Sequence, residues 1–453
     1  MVKSTGESCI IKEMKILHGL SSVFLMLCIY SCSLSHKINS HAESDLFTDS
    51  ATKHGHIGVS IFEPATGKYW YHHLDDKYFV PASNTKLFSL YAGLKYLGDS
   101  LEGLRVLYDK DTAFIIPTGD PTFLHPQYAQ QRIFQFLKKI RLPITFIDGT
   151  WKTLAFGNGW AWDDYNSTEM LERSPFPIYN NMIRWTQVNE SQNKAQGKLI
   201  FSEPEINWKV IFNDDSTSKV FDVERDLGQN VFHITFGQEK RKQIEVPFIT
   251  NGLASALIFL EDTLGKHIQR SGSVPQKKFL VIHSRPSDSL FIPMMHRSDN
   301  FFAEQTLLMS SASRLGEMNE NKMINYLLEN DLKELPQKPI WVDGSGLSRY
   351  NLFTPLDFIY LLNKIKNEFG LKRIESILPT GGTGTLRSLY RKDSGFIFAK
   401  TGTLSNKVAL SGYLQTKKNK LLIFSILAGD FEGTANPVRR RIEKFLLWIR
   451  QHY

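Results

Sequence analysis

The chain has 453 residues, 42% hydrophobic and 12% aromatic, a globular composition with room for one large or two to three ordinary domains. Its net charge of +8 favours anionic surroundings, but no zinc spacing, helix-turn-helix pattern or basic-aromatic motif supports nucleic acid; a carboxylate-rich polymer or an anionic membrane surface fits as well. All three cysteines (Cys9, Cys28, Cys32) precede residue 33, so the folded body is expected to hold neither a disulfide nor a cysteine metal site.

Lys12 and Lys15 precede a mostly apolar run, Ile16 to Tyr30, that meets Ser31-Cys32-Ser33. Basic residues, a short apolar core and small residues before a cut describe an export leader over 1–32. His18, Ser21 and Ser22 interrupt the run, which is too short for a membrane span. Ile29-Tyr30-Ser31-Cys32 resembles a bacterial lipoprotein cleavage box and makes Cys32 the lipidation candidate, with Tyr30 an unusual occupant. Residues 1–13 read as an upstream extension, which leaves Met14 as an alternative start to Met1. Polar residues at 33–50 then read as a flexible tether.

His56 to Phe62 alternates as a strand, Glu63 to Gly67 is a turn, and Lys68 to His72 is a second strand, so a hairpin is predicted. Next, Leu87, Leu90, Tyr91 and Leu94 recur at the spacing of one helix face over about 83–96. Ser83 and Lys86 share one side of its first turn. An amine held there takes the serine proton if desolvation lowers its pKa, and the helix start offers N–H groups to a developing oxyanion. Ser-x-x-Lys alone is weak: Ser50/Lys53, Ser191/Lys194 and Ser216/Lys219 match it in polar surroundings. An N-cap serine with a snorkelling lysine accounts for the local pattern equally well.

Between 99 and 284 short β-like runs (104–107, 113–116, 144–147) alternate with turns and a helix at about 127–139. Residues 151–185 are rich in Trp, Asn, Pro and Gly. From 186 to about 250, strand-like pieces read as a separate β-rich lobe, and helical periodicity returns at 252–264. Ser298-Asp299-Asn300 precedes another helix, though Ser-x-Asn alone is a common turn or cap. Asp343 to Ser348 reads as a structural glycine loop. The glycine-rich stretch from Leu378 to Leu386 lacks the Gly-Lys-Ser/Thr ending of a phosphate-binding loop. Phe396 to Thr403 is a strand ending in Lys400-Thr401-Gly402-Thr403, two strands follow, and Val438, Ile442, Phe445, Leu446 and Ile449 line one face of a terminal helix. The architecture expected is α+β: a five-stranded antiparallel sheet drawn from both chain ends (51–98 and 285–453), flanked by helices, with 99–284 inserted.

Ser-x-x-Lys, Ser-x-Asn and Lys-Thr-Gly in this order resemble the signature of serine penicillin-recognising enzymes. Gly119-Asp-Pro-Thr122, Asp343-Gly-Ser-Gly-Leu-Ser348, Gly384-Thr-Leu-Arg387 and the long insertion between Ser83 and Ser298 narrow the likeness. It looks like the class C low-molecular-mass penicillin-binding proteins, which are D-alanyl-D-alanine carboxypeptidase/endopeptidases. The resemblance, spanning about 55–450, implies the penicillin-recognising serine transferase fold. It implies Ser83 as nucleophile, Lys86 as its base, Ser298 as proton relay and Asn300 as the group positioning Lys86 and substrate. Backbone N–H groups of Ser83 and Thr403 would hold the oxyanion. Lys400 would add positive potential, and the Thr401-Gly402-Thr403 segment would bind substrate, its two hydroxyls taking the terminal carboxylate. No metal or cofactor is implied. Implied partners are peptidoglycan stem peptides, β-lactams as covalent inhibitors and a membrane through the lipid anchor, with no nucleic acid and a homodimer as one option. The expected location is periplasmic, as a membrane-anchored lipoprotein. A serine β-lactamase and a non-catalytic peptidoglycan-binding lipoprotein are the competing readings; the second should have lost Ser83, Lys86 or Lys400, and all three are present.

Overall fold

The structure, a computed structural model, describes residues 36–48, 52–189, 198–213, 218–273 and 277–453. The leader expected at 1–32 and Cys32 lie outside the described residues. β1 (His56–Glu63) and β2 (Lys68–His73) form the predicted hairpin, and α1 (Lys86–Tyr96) follows. Later in the chain come α2 (Asn300–Leu315), α3 (Pro355–Phe369), β3 (Ile397–Leu404), β4 (Lys407–Gln415), β5 (Leu421–Gly429) and α4 (Ala435–His452). The strands join in the order β3-β4-β5-β1-β2, antiparallel throughout, which is the five-stranded sheet expected from both chain ends.

This sheet is covered on both faces, and the period-2 geometry of its strands sorts side chains between two cores. On β4, Val408, Leu410 and Leu414 enter one core, while Ala409 and Tyr413 enter the other. On β5, Phe424 and Ile426 go one way, Ile423 and Leu427 the other. The first core is sealed by α4 through the predicted stripe of Val438, Ile442, Phe445, Leu446 and Ile449. The second takes Leu87, Leu90, Tyr91 and Leu94 of α1, with Phe302 and Leu307 of α2 and Phe358 and Leu362 of α3. Thr354 and Asp357 start α3 as a reciprocal capping box, each side chain accepting from the other's backbone N–H.

The flexible tether expected at 33–50 is corrected by the structure. Residues 36–42 are helical and Glu43–Phe47 continue as a π-type turn. Ile38, Ala42 and Leu46, spaced by four, are fully buried in the α4 core, His41 stacks on Trp448, and Asp45 pairs with Lys444 at 2.8 Å. One apolar stripe suffices to dock the segment. Starting the chain at Thr52 instead of Ser33 should therefore lower the free energy of urea unfolding by roughly 3–6 kcal/mol, about 1.5–3 for each of the two large aliphatic side chains. Equal stabilities would mean the segment only rests on α4.

Within 99–284, strands Ile268–Ser271, Ile144–Ile147, Thr112–Pro117, Ser100–Asp109 and Leu280–Pro286 form a mixed five-stranded sheet in that order. Met182–Asn189 pairs between Lys198–Glu203 and Arg241–Pro247, and Phe232–Thr235 between Val210–Asn213 and Asp222–Arg225. The stretch expected as a separate β-rich lobe thus has two small sheets of its own. Its Trp185, Phe232 and Val246 nevertheless pack into one core with Leu104, Ile115 and Phe146 of the larger sheet. The helix expected from 127 begins at Arg132. Among the described residues no helix is long and apolar enough to cross a membrane.

Candidate active site

Ser83 lies in a 3₁₀ turn (Ala82–Thr85) just ahead of α1, which is tighter than the continuous helix expected from 83. The chain enters this turn through Ala82 at φ 48°, a left-handed conformation that a residue with a Cβ holds only where its surroundings impose it. Two glycines let other segments close on the turn. A Cβ on Gly346 would stand 1.9 Å from the Ala82 carbonyl oxygen, and one on Gly402 would stand 2.6 Å from that of Pro81 and 3.1 Å from the Ser83 nitrogen.

Lys86, the first residue of α1, is fully buried. Its Nζ reaches Ser83 Oγ at 2.9 Å, Asn300 Oδ1 at 2.6 Å and the Ser345 carbonyl at 2.7 Å. Burial pulls its pKa down to about 8, against Asp343, Glu304, Glu169 and Asp299, whose charges favour the ammonium. The three contacts have a chemical consequence. A neutral amine has two N–H groups and one lone pair, and only the serine among its partners carries a proton to donate. Deprotonated Lys86 therefore keeps its bonds to the two carbonyl oxygens and turns its lone pair to the Ser83 hydroxyl.

Ser298 and Asn300 frame the start of α2, where Asp299 caps the helix by accepting from Phe302 N–H at 3.0 Å. Ser298 itself sits at φ 62°. Its Oγ accepts from Lys400 Nζ at 2.8 Å, and Lys400 also donates to the Thr401 carbonyl at 2.6 Å. Burial, with Lys86 beside it, holds the Lys400 pKa well below the usual lysine value, and among the described residues no carboxylate offsets this. The lysine expected to add positive potential thus sits where its charge is opposed until an anion arrives. β3 is the edge strand of the sheet. Pro379 and Thr380 cover its outer side only as far as Ala399, through the Ala399 N–H to Pro379 bond and the Thr380–Phe398 bridge. From Lys400 onward the edge offers backbone groups to an extended ligand.

The structure brings all the residues singled out by the three motifs to this one place, and it adds partners that the sequence hides. Ser345 presents its carbonyl to Lys86, while its N–H donates to Glu304 Oε1 at 2.7 Å. Glu304, one turn after Asn300, is lifted to about 7 by burial and by Asp343, with Arg173 at 3.3 Å opposing the rise. Asp343 holds the loop by accepting from the N–H groups of Gly346 and Ser348, from Asn351 and from Trp160. Asn300 Nδ2 donates to Glu169. Beside Ser298 and Asn300 a groove of about 840 Å³ opens over Glu169, Asn180 and Arg184 toward the inserted strands.

The model of the D-Ala-D-Ala carboxypeptidase 3 (S13) family matches residues 40–448. The chain belongs to that family. It is a low-molecular-mass class C penicillin-binding protein and a serine-type hydrolase with D,D-peptidase activity. A D-alanyl-D-alanine carboxypeptidase of Actinomadura sp. (strain R39) is 24% identical over 436 residues, covering 86% of this chain and 80% of that protein. D-alanyl-D-alanine carboxypeptidase DacB of Haemophilus influenzae is 25% identical over 346 residues, 68% of this chain and 69% of DacB. Penicillin binding protein 4 (dacB) from Haemophilus influenzae shares the fold: its crystal structure superposes with a TM-score of 0.71 at 19% identity, covering 91% of this chain and 99% of that one. The same protein complexed with a beta-lactam gives a TM-score of 0.65 at 18% identity.

Proposed function

We propose that this S13 family member cleaves the bond between two D-alanines of peptidoglycan stem peptides through an acyl-enzyme on Ser83. Ser83 Oγ bonds to the carbonyl carbon, the C–N bond breaks, and the serine proton passes to Lys86. Ser298 relays a proton to the departing amine. The backbone N–H groups of Ser83 and Thr403 hold the oxyanion, while the open β3 edge and the Thr401 and Thr403 hydroxyls hold the substrate. Water then adds to the ester and frees the shortened peptide. The observation that carries this reading is the three-point seating of Lys86, which leaves its lone pair for Ser83 alone. The groove beside Ser298 gives space for a second peptide strand, so the reading includes cross-link cleavage.

The leader supports export, and Cys32 a lipid anchor. Only Ser33, Leu34 and Ser35 separate Cys32 from His36, where the described structure begins, so this anchor would hold the catalytic layer close to its membrane. To test the activity, the chain from Ser33 is given diacetyl-L-lysyl-D-alanyl-D-alanine and benzylpenicillin in separate reactions. Release of free D-alanine and one stable penicillin adduct are expected. Penicillin consumed with no D-alanine released would make the protein a β-lactamase instead.

A further inference from the structure

One end of the catalytic layer gathers exposed cations. The β1–β2 turn, the β4–β5 turn and the C-terminus of α4 meet there. Lys68 stands opposite Glu63 in the β1–β2 register, Lys417 N–H donates to the Arg450 carbonyl at 3.0 Å, and Lys418 N–H donates to the Tyr453 carbonyl at 2.7 Å. Glu63 and Asp393, beside them, are already taken by Lys420 at 3.1 Å and by Arg450 at 2.7 Å. Lys37, Lys68, Lys417 and Lys418 are exposed, and none has a carboxylate within 4.0 Å among the described residues.

Aromatic rings lie among these cations. Trp448 stacks on His41 at 3.8 Å and on His452 at 4.8 Å, and Tyr453 meets Trp70 edge-on at 5.3 Å. Lys418 and Lys420 lie over the Tyr453 and Trp70 rings. Trp448 and Tyr453 both keep part of their surface exposed. Lysines interleaved with Trp and Tyr suit a membrane–water interface, whereas a carboxylate polymer would use the lysines and leave the rings idle.

The N-terminal segment arrives at the same end. Asp45 pairs with Lys444 and His41 stacks on Trp448, so the segment runs antiparallel to α4 and brings His36 and Lys37 level with its last turn. Cys32 precedes His36 by four residues, within about 14 Å of chain. β3 also starts here, with Ile397 opposite Leu414, and Lys400 to Thr403 lie roughly 10–20 Å further along it. A surface resting on this end leaves the catalytic edge clear.

We propose that this end is a docking surface for an anionic lipid bilayer, with Lys37, Lys68, Lys417 and Lys418 meeting headgroup phosphates and Trp448 and Tyr453 at headgroup depth. Neither peptidase activity nor acylation of Cys32 is needed for this contact.

The unacylated chain from Ser33 is sedimented with vesicles of phosphatidylcholine, alone or with about 30% phosphatidylglycerol. The wild type should pellet with the anionic vesicles only, and release them between about 0.05 and 0.5 M NaCl. The triple variant Lys68→Gln, Lys417→Gln, Lys418→Gln should bind them about 100-fold more weakly, about fivefold per lysine. A control of equal charge loss on the inserted region, Lys138→Gln, Lys139→Gln, Lys240→Gln, should bind as the wild type does. Thermal melting checks each fold, and Lys417→Gln alone, expected to lose about fivefold, serves if the triple variant melts early. Equal losses in both triple variants would reduce the contact to net charge and overturn the assignment of this end. A wild type that ignores anionic vesicles would overturn it too, and pelleting with purified peptidoglycan in that case would give the lysines to the wall polymer.

Discussion

Replacing Ser83 by alanine should abolish the covalent adduct that benzylpenicillin leaves on the protein, with acylation falling by about four orders of magnitude or more. The fold should survive. Ser83 is only partly buried and its hydroxyl bonds Lys86 Nζ at 2.9 Å, so its loss costs about 1 kcal/mol. The turn is held by its neighbours: Asn84 donates to Ser411 Oγ at 2.7 Å and Thr85 Oγ1 to the Ala82 carbonyl at 3.0 Å. Lys86 keeps Asn300 and Ser345 as partners in the variant. Intact mass before and after penicillin reads the outcome, and thermal melting checks the fold. A stable adduct on a folded Ser83→Ala protein would place the nucleophile elsewhere.

The parts of this molecule that were legible in its sequence are those whose physics is local. The α4 stripe could be read because five bulky residues from Val438 to Ile449 recur at helical spacing. The segment at 36–47 obeys the same rule, but its stripe is three residues, one of them Ala42, set among histidines, a lysine and asparagine. Composition there speaks for solvent, and only the waiting surface of α4 decides otherwise. The site divides in the same way. Ser83 and Lys86 are three apart, and the chemistry of Ser298, Asn300 and Lys400 lies in their own side chains. Ser345 contributes a backbone carbonyl to a lysine 259 positions away, and no residue type marks that role. Glu304 left a faint signal, since one turn beyond Asn300 puts it on the same helix side.

Exchanging Lys86 for methionine should slow acylation by benzylpenicillin by about 10²- to 10⁴-fold, the usual contribution of a positioned general base, and flatten its pH dependence. The sign follows from which form is active. Lys86 accepts the Ser83 proton only when neutral, and burial brings its pKa from the ordinary lysine range down to about 8. Below that pH the wild-type rate should rise about tenfold per pH unit, as the neutral fraction does, and level off above it. Of the two buried amines, Lys86 is the one its surroundings favour charging: Asp343, Glu304, Glu169 and Asp299 act on it, whereas Lys400 is burdened by burial and by Lys86 itself. The rising limb near pH 8 is therefore assigned to Lys86. Methionine fills much of the same buried volume without a proton to exchange, so the variant should fold and lose that limb. Stopped-flow acylation between pH 6 and 10 decides the matter. A Lys86→Met protein that kept the wild-type slope would transfer the role of base to Lys400, the other buried amine in this cluster, which reaches Ser298 at 2.8 Å.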